Sequence, residues 1–165
     1  LFGKEFAAAG IPGPFVQDNQ SKSTRGVLRG LHFQSSTRRA SWCVWCRARC
    51  STWRWTAAPT PHTFGKWVGV CLFGGKQTPV LHSPGFAHGF LVLSDEAEFT
   101  YKCTDFYAPD DEGGVAWDDA DIGIVWPDAG CSVKLSAKDK LHPGLPRRIF
   151  LFESGERHDN VQSLL

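Results

Sequence analysis

The chain has 165 residues and a nearly balanced charge, 18 Lys and Arg against 17 Asp and Glu. That length suffices for one domain with a substantial core, and the balance gives no reason to expect a nucleic-acid partner. No apolar run approaches the roughly 18 residues of a membrane span, and no signal-peptide pattern opens the chain, so a soluble, cytoplasmic protein without a membrane partner is expected.

Six Cys are few for a disulfide scaffold and come without a secretory context. Met is absent, and a chain that opens Leu-Phe-Gly-Lys is expected to be a fragment. In chain order, the first predicted element is a short helix over Lys4–Ala9. Short runs rich in Val, Phe, Leu and Trp follow at 26–33, 63–72, 86–93 and 97–107, with Gly and Pro between them. Such runs read as strands bounded by turns. Many short strands predict an all-β domain, as a sandwich, jelly roll or small barrel. The tail 140–165 has weak periodicity and mixed charge, leaving loop, short helix and disorder open.

Residues 38–56, RRASWCVWCRARCSTWRWT, do not fit that pattern, with four Trp, three Cys and five Arg. One reading is an aromatic, basic strand pair. A second is a zinc site from Cys43, Cys46, Cys50 and His62, against which the irregular spacing and the lack of a second C-x-x-C both count. A third is a nucleic-acid platform of Arg and Trp. The fourth, translation one base out of frame, explains more. Trp has the single codon TGG, so joining the last base of one codon to the first two of the next gives Val from Trp42-Cys43 and from Trp45-Cys46. The same operation gives Asp from Trp55-Thr56, and Leu, Val or Met at Trp45, Trp53 and Trp55. With permitted codons elsewhere the string reads Gly-Lys-Leu-Val-Arg-Val-Val, then Gly-Glu-Val and a further alternating run. Two alternating strands around a Gly-Glu turn are what a β-fold needs here. The restored Lys falls at Ser41.

Segments on both sides of that window carry a resemblance: FVQDNQSKS (15–23), GVLRGLHFQ (26–34), TFGKWVGV (63–70), PGFAHGFLVLS (84–94), YKCTDFYAPDDEGGVAWDD (101–119), IGIVWP (122–127) and LSAKD (135–139). In order and spacing they resemble the dTDP-4-dehydrorhamnose 3,5-epimerases, and the restored window fills that family's remaining gap. The resemblance covers 15–139, with 1–14 as a preceding helix end, and treats 1–165 as one domain. It implies a cupin-type jelly roll or β-sandwich with short terminal helices.

The implied reaction is epimerisation at C3 and C5 of dTDP-4-keto-6-deoxy-D-glucose, giving dTDP-4-keto-L-rhamnose. The ketone acidifies the hydrogens on both neighbouring carbons, so a base, an acid on the opposite face and a stabiliser for the enolate oxygen suffice. No cofactor and no metal are implied. Metal-dependent cupins usually show His-x-His with a downstream Glu, whereas His32 and His88 stand isolated.

By the same resemblance His32 is the base, Asp139 the carboxylate that orients it, and Tyr101 the acid on the other face. Histidine titrates near neutrality and suits proton abstraction, and a carboxylate partner sets its tautomer. Taken without the resemblance, His32 reads as a buried hydrogen-bonded histidine, Asp139 as a surface residue and Tyr101 as an ordinary strand residue. The family's carbonyl-polarising Lys would lie at Ser41, so the chain as it stands lacks that group. Arg29 is implied to pair with the diphosphate or the sugar hydroxyls. Gln17, Asn19, His88, Glu112 and Lys138 align with substrate contacts, and Phe106 and Tyr107 could stack on the nucleobase. The bland alternatives are a turn at Gln17–Asn19 and a solvated charge at Lys138. His82 matches no family position. It lies in KQTPVLHSPGF (76–86), where a second brief slip of frame would restore the family's pattern.

The family begins with strands carrying Asp-x-Arg-Gly, which this chain lacks. Those strands help build the family's homodimer. Relatives with single-site epimerisation keep a similar framework. The alternative function is a non-catalytic homologue that only binds a sugar nucleotide.

Overall fold

The computed structural model describes residues 3–11, 13–34, 40–47, 49–56, 66–73, 79–83 and 85–145. After a short helix α1 (Gly3–Ala8) come nine strands: β1 (Gln17–Thr24), β2 (Leu28–Gln34), β3 (Ser41–Arg47), β4 (Arg49–Thr56), β5 (Trp67–Phe73), β6 (Val80–His82), β7 (Phe86–Val92), β8 (Glu96–Cys103) and β9 (Glu112–Gly114). They form a four-stranded sheet, β1-β8-β3-β6, and a five-stranded sheet, β5-β4-β7-β2-β9, with every named pair antiparallel. This is the expected all-β sandwich, and the resemblance to the cupin jelly roll holds.

Cys50, Leu72, Phe90 and Val92 from the larger sheet pack against Ala97 and Phe99 from the smaller one. The ring pair Phe90–Phe99, edge to face at 4.9 Å, bridges the sheets and adds about 1 kcal/mol beyond its buried area. Strand β7 is buried at four successive positions, Gly89 to Val92, because its other face is covered too. Leu28, Leu91 and Leu93 on that face pack against Trp67 of β5 and beneath Trp117, Ile124 and Trp126 from the segment that follows β9. A strand covered on both faces needs a continuous apolar run, which is what FLVL supplies.

The structure differs from the sequence readings at three places. The Gln17–Asn19 segment is strand, not turn. Its burial alternates strictly, with Gln17, Asn19, Ser21 and Ser23 facing inward, so its inner face is polar and gives no hydrophobic signal. And β3 and β4, one residue apart, are not paired with each other. β3 pairs with β8 and β6, β4 with β5 and β7, so the chain changes sheets between them. The 97–107 run is strand only to Cys103. Residues 63–65 of the 63–72 run and the tail beyond 145 lie outside the described residues. A single 3-10 turn, Asp139–Leu141, leads into the tail.

Candidate active site

One end of the sandwich stays open between the sheets, where a cavity of about 510 Å³ sits above Phe90 and Phe99. The smaller sheet supplies two rows of inward side chains. Pairing places Gln17 beside Cys103, Cys103 beside Ser41 and Ser41 beside His82. The next row runs from Asn19 through Tyr101 to Cys43. Gln17, Asn19, Ser41, Cys43, His82 and Tyr101 all line the cavity.

The larger sheet supplies Arg29, His32 and His88 to the facing wall. Arg29 and His32 are three residues apart, a spacing that sends strand side chains to opposite faces. A shift of register between them against β7 restores a common face. Gly30 makes the shift possible, at φ +130° and so close to β7 that an added Cβ would lie 2.6 Å from Gly89 Cα.

His32 is held from behind. Its Nε2 stands 2.6 Å from Asp139 Oδ1, which also accepts from the Gly30 N–H at 3.3 Å. Ser136 Oγ donates to Asp139 Oδ2 at 2.6 Å and accepts from the Asp139 N–H at 3.1 Å. That reciprocal pair explains the S-x-x-D spacing of SAKD and fixes the carboxylate at the start of the 3-10 turn. Asp139 is 2% exposed, not a surface residue. Burial alone would raise its carboxyl pKa, but donation by His32 and Ser136, the His32 charge and the Gly30 N–H outweigh that and hold it well below the usual carboxylate range. An ionised carboxylate only accepts, so the His32 proton is on Nε2 and its lone pair on Nδ1. Nδ1 lies 3.8 Å from Glu112 Oε1.

Glu112 is the centre of a second cluster, accepting from both Lys138 Nζ and Tyr107 Oη. Its burial would raise its pKa, yet the Lys138 and Tyr107 hydrogen bonds hold it below the ordinary value. Lys138 is raised by its Glu112 hydrogen bond, and Tyr107 likewise. Lys138 is therefore engaged, not merely solvated. Gln17 Oε1 accepts from the Tyr107 N–H at 2.7 Å, and its amide donates to Asn19 Oδ1 at 2.9 Å. Of the predicted site residues, ten line this one cavity: Gln17, Asn19, Arg29, His32, His88, Tyr101, Tyr107, Glu112, Lys138 and Asp139. Phe106, 65% exposed, stands outside the lining.

The chain's similarity to known proteins agrees with this arrangement. Residues 2–146 match the family model described as dTDP-4-dehydrorhamnose 3,5-epimerase. The chain belongs to that family. It is 44% identical over 132 residues to the dTDP-4-dehydrorhamnose 3,5-epimerase of Escherichia coli K12, covering 79% of this chain and 71% of that one. It is 34% identical over 145 residues to a dTDP-4-dehydro-6-deoxyglucose 3-epimerase of a Streptomyces species, covering 87% of this chain and 70% of that one. Its fold superposes, with a TM-score of 0.79 and 40% identity, on a dTDP-6-deoxy-D-glucose-3,5-epimerase of Legionella pneumophila in complex with dTDP-4-keto-L-rhamnose, over 86% of this chain and 76% of that one.

Two histidines at the site were not among the residues the sequence predicted for it. His82 is buried and packs on His88, ring centroids 4.3 Å apart; only strand pairing reveals it as a wall residue. His142, in the tail, packs edge-on against His32 at 5.2 Å. Burial and then the nearby His32 charge push its pKa down. A histidine three residues beyond the dyad carboxylate was the one available cue. The cysteine zinc reading has Cys43 in one sheet and Cys50 in the other; the Cys46 side chain and His62 lie outside the described residues. No described helix is long and apolar enough to cross a membrane.

Proposed function

We propose that this chain is an epimerase that inverts C3 and C5 of dTDP-4-keto-6-deoxy-D-glucose, giving dTDP-4-keto-L-rhamnose. The observation that carries the reading is the His32–Asp139 pair on one wall of a cavity whose facing wall holds Tyr101. His32 Nδ1 takes a proton from the carbon beside the ketone, leaving an enolate with its charge on the C4 oxygen. Asp139, and Glu112 across the ring, stabilise the imidazolium that results. Tyr101 returns a proton to the opposite face of the carbon, so that its configuration inverts, and the phenolate is reprotonated from solvent. Nothing in this sequence needs a cofactor or a metal.

Arg29 serves the diphosphate or sugar hydroxyls, with Gln17, Asn19, His88, Glu112 and Lys138 completing the substrate contacts. Phe106 and Tyr107, exposed beside the mouth, offer faces for the nucleobase. The protein acts in the cytoplasm as a homodimer of single-domain chains. Residues 38–56 arise from a reading-frame slip.

The test is deuterium wash-in from heavy water at C3 and C5 of the keto-sugar. Exchange at both positions, lost in His32→Ala, is expected. Full exchange in that variant would remove His32 as the base. The 34% identical 3-epimerase relative favours one second reading, inversion at C3 alone; exchange confined to C3 would establish it.

A further inference from the structure

His142 takes no part in the proton transfers above, yet it is built into their base. Its side chain is 9% exposed, and its buried Nε2 has no hydrogen-bond partner among the described residues. The ring is wedged against Gly114, where a Cβ would overlap it, and Gly114 itself pairs with His32 across β9 and β2. His142 Nε2 lies 3.9 Å from Asp139 Oδ1, the oxygen that His32 Nε2 meets at 2.6 Å. One donor atom from each of the three residues falls within 4.8 Å of the others. Two imidazoles and one carboxylate, with Oδ2 already satisfied by Ser136, are a set that binds zinc.

We propose that His32, Asp139 and His142 form a regulatory zinc site that switches the base off. The inference rests on His32 being that base. Zinc bonds of about 2.0 Å set tetrahedral ligand atoms roughly 3.3 Å apart. The His32–Asp139 contact must therefore open slightly and the His142–Asp139 contact close slightly, both by side-chain rotation. Zinc takes the Nε2 lone pair of His32, which moves that ring's proton from Nε2 to Nδ1. The imidazole stays neutral and no proton is released. Nδ1–H then points toward Glu112 Oε1, 3.8 Å away, and a small turn of the ring brings it into the carboxylate–histidine–metal arrangement that stabilises bound zinc. Water completes the coordination. The lone pair that abstracts the substrate proton is gone.

The test uses the full chain, stripped with chelator, and zinc chloride alone as the probe. Titration calorimetry should find one zinc per chain, with affinity at least about tenfold weaker in His142→Asn. Cobalt substitution should give a nitrogen–oxygen site without thiolate charge-transfer absorption. Zinc should inhibit wild-type turnover reversibly, and in His142→Asn the concentration giving half-inhibition, measured against that variant's own zinc-free rate, should rise at least about tenfold. Equal zinc affinity in wild type and His142→Asn, or a thiolate signature lost when the exposed Cys71 and Cys131 become Ser, would overturn the proposal. Zinc bound through these three residues by a chain without epimerase activity would sink the functional reading and leave the metal site standing.

Discussion

Arg29 and His32 lie three residues apart on one strand, and both line the same cavity wall. An unbroken strand cannot do this, because its side chains alternate. The register shift at Gly30 is thus what turns two family residues into one site. Gly30→Ala would force a Cβ against Gly89 Cα and His88 O in a backbone conformation L residues avoid. We expect a loss of about 2–4 kcal/mol in stability by urea denaturation, and turnover reduced beyond what the unfolded fraction explains. A variant that folds and turns over like wild type would show that the register shift does not need glycine.

Asp139→Asn leaves the packing nearly unchanged but removes the charge that sets the His32 tautomer. Turnover should fall by about 10³–10⁴ with little change in KM, by analogy with other His–Asp pairs. Steady-state kinetics check this, and a fall of less than tenfold would mean the carboxylate is structural.

The same carboxyl predicts an acid-stability signature. Its folded pKa is depressed, so its contribution to stability is fully present above the unfolded value of about 3.9. It is lost as pH falls from there through the lower folded value. Denaturation free energies of wild type should therefore drop more steeply than those of Asp139→Asn below about pH 4. Parallel curves would contradict the depression.

Tyr101→Phe separates abstraction from inversion. The base still makes the enolate, but no acid reaches the far face, so protons return from the near side. Solvent deuterium should still enter the substrate while epimerised product falls by at least about a hundredfold, the scale of one general-acid contribution. NMR of the recovered sugar reads both at once. Equal loss of both would place Tyr101 in binding instead.

Ser41 occupies the cavity wall beside Cys103, where a one-base change of frame would install the family's Lys. Ser41→Lys should raise turnover about 10²-fold by adding a charged donor for the enolate oxygen. Unchanged rates would mean that another group already stabilises it.

Much of the fold was legible because burial on both sides of a strand leaves a chemical trace. The run FLVL announces β7, and Gly and Pro mark its neighbours. Strand β1 left no such trace. Its inner face looks into a polar cavity, so Gln17, Asn19 and Ser21 occupy positions where a core strand would carry Val or Leu. The pairing of β3 and β4 was equally silent, since local pattern specifies a strand but not its partner.

The sequence by itself determined the family and the all-β class, and it singled out His32, Asp139 and Tyr101, because long motifs in fixed order carry that information locally. Tertiary structure alone decided that Gly30 turns Arg29 and His32 to one wall, that His82 lines the cavity and that His142 packs against His32. Those facts depend on which strands pair and on which loop returns to cover them. Chain folding brings such groups together through contacts with no short-range signature.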